Sequence, residues 1–588
     1  MTAIIASLLP AGRFLVGVLA SVAFAILLLY HINPVGLSDM YWHLNTGRWI
    51  WENGALPTSD PFSYTQTASL DDSTGQSSKN YWQLLILQGF WLAQLSYFAA
   101  YSALGEWGLV IFKAILFGTL YGLMWRTLLR SRVDPLLGLL AILILPWLLY
   151  RYDELRPQVF SFIGVVLVYM NMRTALAKLH EGVKHPSALI ALPVIMMMWS
   201  NLHPGYMLGW VIISVMAAGT AFDRWRGAIE MTQPAFKNLL IWCGVALVAS
   251  LFNPLFDVIF SYFGIVQNQF AFGVDEHLSL YSYASMYRQP MLFYGVLILA
   301  LVTLCTLILR RKHVDSAHAF LIFGFTAAGF YAFRFTIFFI LMAILIGMPH
   351  VSALLERHLA KLRTLVITML LIAIAGAGYQ AVQNSAWQSG PVQTAYVPEQ
   401  AAAFILDKRP PSPLFNAYEY GGYLGWRLAP EYQIFVDPRC LDFEVNRDYQ
   451  IARGGHYHAV FDKYGINSVV FYLFTPLVSS IPEVTLYLLM DKNWDLVYVD
   501  KLTAVMVRRE RNNLPIINKA PLLNYFQQTL ERTLQLYPNS TQAHVQYGRV
   551  LLHRRDVSGA QQHFKTALTI NPQLKAPRLY LDAISRRN

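Results

Sequence analysis

The residues with most chemistry to offer stand just outside the long apolar runs of this chain, in five clusters. The richest follows the first run: Ser38-Asp39-Met40-Tyr41-Trp42-His43, continuing through Gly47-Arg48 to Asp60-Pro61-Phe62-Ser63. Asp39 and His43 are four residues apart, so a helix places both on one face. A carboxylate beside an imidazole can be a base and its partner, or two ligands of a divalent metal ion. The alternative is a helix-capping aspartate with an unrelated histidine. The second cluster is Arg151-Tyr152-Asp153-Glu154-Leu155-Arg156-Pro157-Gln158. Arginine forks match phosphate oxygens, and internal pairing with Asp153 and Glu154 is the competing reading. His203, between Leu202 and Pro204, is a candidate metal or phosphate ligand, or a hydrogen-bonded turn residue. Asp275-Glu276-His277 is the fourth cluster. The fifth is Arg334 in Tyr331-Ala332-Phe333-Arg334-Phe335. An arginine between two apolar stretches costs a few kcal/mol, so it calls for a function.

The elements that must position these clusters are membrane helices. The 588 residues are 55% hydrophobic and only 13% charged, roughly half the ~25% of a soluble domain. This excludes an ordinary soluble enzyme and a disordered chain. Three cysteines, Cys243, Cys305 and Cys440, exclude a disulfide scaffold. Apolar runs of spanning length lie near 14–31, 107–129, 134–150, 157–177, 187–202, 205–222, 238–260, 290–309, 317–333, 335–349 and 364–383. A twelfth stretch, 82–104, carries Gln83, Gln88, Gln94 and many aromatic residues, which suits a helix in the interface.

Lysine and arginine exceed aspartate and glutamate by 11. Basic residues follow every second span: Arg126, Arg130 and Arg132; Arg173, Lys178 and Lys184; Arg224, Arg226 and Lys237; Arg310, Arg311 and Lys312; Arg357, Lys361 and Arg363. Those connections are therefore cytoplasmic. About eleven spans then leave the N-terminus inside and the loop 32–81 and everything after ~384 outside. The five clusters share that outer face. The charge excess reads as topology, not as a nucleic-acid footprint. The first run is as long as a span and lacks a small-residue cleavage site, so it reads as retained.

Three regions are expected: a membrane domain over 1–383, an extracytoplasmic α/β domain over 384–513, and a helical segment over 514–588. In the second, Ile434-Phe435-Val436, Ser468–Tyr472 and Trp494–Val499 read as strands, and 398–407, 447–463 and 482–492 as helices. No glycine-rich phosphate loop is anchored between a strand and a helix. In the third, Gly548, Ala560, Phe564, Ala567 and Pro572 stand at the offsets of one tetratricopeptide repeat. It reads as a docking surface for a protein partner or as a helical cap.

The many spans, the acidic residue just after the first span and the outside C-terminal domain resemble the GT-C superfamily of membrane glycosyltransferases. Its protein O-mannosyltransferase and aminoarabinose transferase members look most similar. Asp39…Trp42-His43…Gly47-Arg48…Asp60-Pro61-Phe62-Ser63, Arg156-Pro157-Gln158, His203-Pro204-Gly205, Asn416…Gly421-Gly422-Tyr423 and Asp437-Pro438-Arg439 carry the resemblance. It implies a polyprenyl-phosphate-linked sugar as donor and a bacterial inner-membrane protein acting at the periplasmic face. The acceptor would be a polysaccharide, lipid or protein of the cell envelope. It makes Asp39 the base or acceptor-orienting residue, supported by His43 and Asp60. Arg151, Arg156 and Arg334 would hold the lipid phosphate. His203 and Glu276 would join substrate binding or, with Asp39 and His43, a divalent metal site. The adjacent acidic pair of the mannosyltransferases is missing, since residue 40 is Met.

Two other functions compete. An O-antigen ligase or polymerase also moves lipid-linked glycan outside the membrane, but it implies a large outer loop late in the membrane domain. A non-catalytic scaffold of an exopolysaccharide export assembly would use the C-terminal regions to recruit partners. A transporter lacks support, because no inverted repeat is evident.

Overall fold

The computed structural model describes residues 10–36, 38–65, 77–256, 275–393, 397–473 and 481–586. They form two compact units. One comprises Met1–Ser59 and Ala68–Gln393, the other Asp60–Thr67 and Thr394–Asn588.

The first unit is helical. It begins with α1 (Pro10–Tyr30), α2 (Ser38–Asn53), α3 (Ser77–Gln88), α4 (Trp91–Leu104) and α5 (Glu106–Arg130). Next come α6 (Pro135–Leu149), α7 (Gln158–His180), α8 (Ser187–Leu202), α9 (Met207–Trp225) and α10 (Gln233–Ala249). It ends with α11 (Leu280–Met286), α12 (Pro290–Leu309), α13 (Ser316–Tyr331), α14 (Phe333–Leu355) and α15 (Leu359–Gln383). Local chemistry sets several boundaries. Asp134 accepts hydrogen bonds from the Leu136 and Leu137 amides at the start of α6, with Pro135 in the first turn. Asp315 does the same for His318 at the start of α13.

Among the described residues, eight stretches are long and apolar enough to cross a membrane, by length and composition, and four further helices are apolar but shorter. Seven of the eleven predicted spans fall among the eight, and the other four, 14–31, 187–202, 238–260 and 317–333, are the shorter helices. Residues 257–260 of the run at 238–260 lie outside the described residues. The eighth long stretch is Trp82–Leu104. A turn at Gly89-Phe90 divides it into α3 and α4.

Helix α14 is the centre of this unit. Every residue from Thr336 to Gly347 is buried, as expected of a helix that is apolar all round. Helices α2 and α4 approach so closely that a Cβ on Gly47 would sit 2.1 Å from the Gln94 carbonyl oxygen. Only glycine permits that crossing, which fixes the helix that carries Asp39.

The second unit holds a four-stranded sheet of β1 (Leu414–Asn416), β2 (Ser468–Tyr472), β3 (Trp494–Val499) and β4 (Thr503–Arg508) in the order β1-β2-β4-β3. Strands β1 and β2 are parallel and the other pairs antiparallel. The α/β expectation meets β2 and β3 where it put them. Ile434-Phe435-Val436 is not part of the sheet: Ile434 makes an isolated parallel bridge to Ser63. The apolar triplet reads locally as a strand, but the chain it pairs with lies some 370 residues earlier. The unit ends in four helices, Ala520–Leu536, Thr541–His553, Val557–Ile570 and Lys575–Ser585. Ala560, Phe564 and Ala567 are fully buried between them. Gly548 lies against the Phe564 ring, where a Cβ would come within 2.7 Å.

Candidate functional site

Arg156 gathers the site. It lies in the short connection between α6 and α7, after the 3-10 turn Tyr150–Tyr152 and before Pro157. Its Nε is 2.8 Å from Glu154 Oε2, its Nη1 2.7 Å from Glu276 Oε1, and its Nη2 2.9 Å from Asp39 Oδ2. One guanidinium thus meets three carboxylates drawn from the first turn of α2, its own connection and the segment before α11. All four side chains are partly exposed, from 25% for Asp39 to 37% for Glu276. Burial pushes the Glu154 carboxyl up to about 7; Arg156 pulls it down, and the charges of Asp39, Glu276 and Asp153 push it up further. Burial disfavours the Arg156 charge, but the three carboxylates outweigh that and hold it firmly protonated.

A cavity of about 300 Å³ opens beside this group, lined by Arg151, Glu154, Arg156, Glu276 and an aromatic wall. Tyr152, Phe333 and Tyr283 stack in series, at centroid separations of 5.0 and 3.7 Å. Arg151 lies 4.9 Å above the Tyr287 ring and donates from Nε to the Tyr283 hydroxyl at 3.2 Å. Such a cavity offers fixed positive charge, carboxylates and apolar faces together, which suits a polar, ring-shaped substrate carrying phosphate.

Arg334 opens α14 and donates from Nη1 to His277 Nε2 at 3.0 Å. A guanidinium can only donate, so that nitrogen of His277 is the acceptor. Burial first, then Arg334, hold His277 below the usual imidazole range. His203 follows α8. Its Nδ1 accepts from the Gly205 amide at 2.9 Å and contacts Ser161 Oγ at 2.7 Å. Trp199 Nε1 donates to the same Oγ at 2.8 Å. Burial, with the charge of Arg334, lowers His203 to about 3, so the ring is neutral and Nε2 bears its proton. Its geometry is that of the hydrogen-bonded turn residue.

Asp39 sits in the first turn of α2 and accepts from Trp42 Nε1 at 3.4 Å. His43 is buried one turn on. It stacks on Trp42 at 3.5 Å, with Phe90 and Tyr97 at its edges and Gln94 Nε2 3.4 Å from Nδ1. The structure therefore brings Asp39, Arg156 and Glu276 into direct contact and places Arg151 in the same cavity wall. Arg334 reaches the group through the neighbour of Glu276. Among the described residues, no group of three or more histidine, cysteine, aspartate or glutamate side chains is arranged to hold a metal ion.

Asp60 belongs to the other unit. Arg439 grips its carboxylate with Nη1 at 2.7 Å and Nη2 at 3.1 Å, and Ser63 donates to it. The Arg439 Nε reaches Asp437 Oδ2 at 2.7 Å. The side chains of Asp60 and Arg439 are each 1% exposed. With both oxygens held in that way, Asp60 is a structural ion pair of its unit.

Two features escape the sequence reading. Glu154 reads as a local partner of the arginines, yet it is a full member of the carboxylate group. Lys113, fully buried in α5, bonds the Asn33 side chain and its carbonyl. Its Nζ lies 3.9 Å from Asp153. His31 Nδ1 meets Asp153 at 2.7 Å, His31 Nε2 meets the Tyr121 hydroxyl at 2.8 Å, and Asn33 Nδ2 donates to Asp153 at 2.5 Å. Burial raises Asp153, but Lys113 and His31 outweigh it and keep the carboxyl below its usual range. The network pins the residue next to Glu154 to two membrane helices. A lysine inside the predicted span 107–129 was its sequence signal.

No protein-family model matches the sequence, and no curated protein matches it. Solved structures do. The oligosaccharyltransferase of Archaeoglobus fulgidus in its apo form aligns with a TM-score of 0.54 and 13% identity, over 96% of this chain and 87% of its own. AglB of that organism, in complex with an inhibitory peptide and a dolichol-phosphate, aligns with a TM-score of 0.52 and 12% identity, over 95% and 86%. ArnT from Cupriavidus metallidurans aligns at 0.39 and 12%, over 86% and 100%. This chain shares its fold with these oligosaccharyltransferases.

Proposed function

We propose that this chain is a glycosyltransferase of the outer face of a bacterial inner membrane, using a polyprenyl-phosphate-linked sugar as donor. The observation that carries the reading is Arg156, which joins Asp39, Glu154 and Glu276 from three segments beside a charged, aromatic-walled cavity. The shared fold with a protein captured with dolichol-phosphate supports a lipid-phosphate donor. The alternation of basic loops supports an N-terminus in the cytoplasm, and C-terminal regions and site in the periplasm.

In this reading the acceptor hydroxyl attacks the anomeric carbon of the donor sugar. The bond from that carbon to the phosphate oxygen breaks, and the polyprenyl phosphate leaves with the electron pair. Asp39, the carboxylate in the first turn of α2, takes the hydroxyl proton. Arg151 and Arg334 hold the phosphate and balance the charge that develops on it. His43, packed among Trp42, Phe90 and Tyr97, and His203, beside Phe90, support the site from behind. The acceptor is a polysaccharide, lipid or protein of the envelope. The C-terminal helices, with tetratricopeptide-like spacing, are a docking surface for a protein partner. A divalent ion on Asp39 and Glu276 would compete with Arg156 for the same oxygens.

The test is transfer from a synthetic polyprenyl-phosphate sugar by the purified chain in lipid nanodiscs. Asp39→Asn should abolish transfer while the protein remains folded and monodisperse. Full activity in that variant removes Asp39 from the mechanism.

A further inference from the structure

We infer that the Arg156 guanidinium is itself the cation of this carboxylate group, occupying the seat that a divalent metal ion would need. Each of its three nitrogens lies 2.7–2.9 Å from a different carboxylate. Mg²⁺ and Ca²⁺ require their oxygens at ~2.0–2.6 Å around one point. Oxygens arranged around the rim of a planar guanidinium are spread more widely than that. A guanidinium also stays protonated at every accessible pH. A metal ion entering the group would have to expel a permanent positive charge and would meet its repulsion at once.

Charge balance points the same way. With Glu154 ionised, Asp39, Glu154 and Glu276 carry three negative charges. Arg156 lies among them, Arg151 lines the same cavity, and Arg334 bonds the residue beside Glu276. The three arginines already neutralise the three carboxylates. Asp153, the next carboxylate along the chain, is taken by His31 and Lys113. A divalent ion would leave the site with two surplus positive charges. Arg156 therefore acts as a positioning residue: it draws three segments together by fixed charge, in a geometry that does not depend on a metal supply.

The inference bears on the mechanism only if the cluster is the transfer site, as proposed above, but its binding test does not depend on activity. The probe is Mn²⁺, a hard ion that favours carboxylate oxygens. It is added to the full-length chain in nanodiscs and read by electron paramagnetic resonance and by metal analysis after desalting. Wild type should retain no more Mn²⁺ than the triple variant D39N/E154Q/E276Q. Its melting temperature should be the same with EDTA and with Mn²⁺. Arg156→Met removes the charge while keeping much of the side-chain bulk. It should gain one Mn²⁺ per chain, and a second change, Glu276→Gln, should abolish that gain. Stoichiometric Mn²⁺ on wild type that disappears in E276Q overturns the inference. So does a folded R156M that takes up no Mn²⁺. If R156M does not fold, the wild-type retention and melting measurements still decide the matter. Loss of all transfer activity alongside the expected Mn²⁺ results would count against the proposed function and leave this inference standing.

Discussion

Arg156 Nη1 and Glu276 Oε1 stand 2.7 Å apart although 120 residues separate them in the chain. The contact closes the segment before α11 onto the connection between α6 and α7. The same guanidinium holds Asp39, so the three segments are fixed by one side chain.

Glu154 should impose a pH limb near neutrality. Its carboxyl is raised to about 7, so it is protonated below that pH and ionised above it. When Glu154 is neutral, Arg156 has one fewer carboxylate to serve and binds Asp39 more strongly, which weakens Asp39 as a base. Transfer should therefore fall as pH drops through about 7. Glu154→Gln mimics the protonated form, so it should be slow at all pH values and lose the limb. A pH–rate profile of both proteins between pH 5.5 and 8.5 checks this; an unchanged limb in E154Q assigns it to another group.

Arg334→Ala should raise the KM for the lipid-linked donor before it changes acceptor preference. A charge-assisted hydrogen bond contributes ~1.5–3 kcal/mol, which corresponds to roughly a tenfold to hundredfold rise in donor KM. Donor titrations at saturating acceptor measure it. A change confined to acceptor KM would move Arg334 away from the phosphate.

Lys113→Met should destabilise the membrane unit. It leaves Asp153 buried with one cation fewer, and breaking such a pair costs ~3–5 kcal/mol. The double variant K113M/D153N should be less destabilised than the sum of the single changes, because the two residues share one network. Thermal unfolding in nanodiscs reads both. Additive losses would show that the two residues act independently.

Arg439→Ala should unfold the second unit at lower temperature, by a similar ~3–5 kcal/mol, since it strands Asp60 and Asp437 in a buried site. Arg439→Lys should recover little of the loss, because an ammonium cannot reproduce the forked contact to Asp60 together with the Nε bond to Asp437. Limited proteolysis of the full chain, read at sites after residue 394, reports the change.

Much of this architecture is legible in the sequence because the membrane imposes a simple rule. An apolar run of spanning length must be helical, and every predicted run corresponds to a helix in the structure. The clusters around Asp39, Arg156, Glu276 and Arg334 also stood out, since charge is scarce there. The harder parts depend on who pairs with whom. Asp60 and Asp39 are near neighbours in sequence, which suggested one carboxylate pair, yet Asp60 is claimed by Arg439, 379 residues away. Glu154 sits between two arginines and looked locally satisfied, but Arg156 reaches beyond it. Ile434-Phe435-Val436 has strand composition without a place in the sheet. Lys113 could be seen as costly, but nothing near it in the sequence names Asn33 or Asp153 as its partners.

The bridge of Ser63 to Ile434, with the Asp60 and Arg439 pair beside it, has a consequence for how the protein is made and divided. The segment at 60–65 emerges from the ribosome early and must wait while more than 360 further residues are synthesised before its partner exists. A fragment expressed from residue 394 onward would carry Arg439 into a core that has lost the carboxylate at 60. The gene has no contiguous stretch that encodes this unit, so transplanting it to another protein requires stitching the two pieces of chain together.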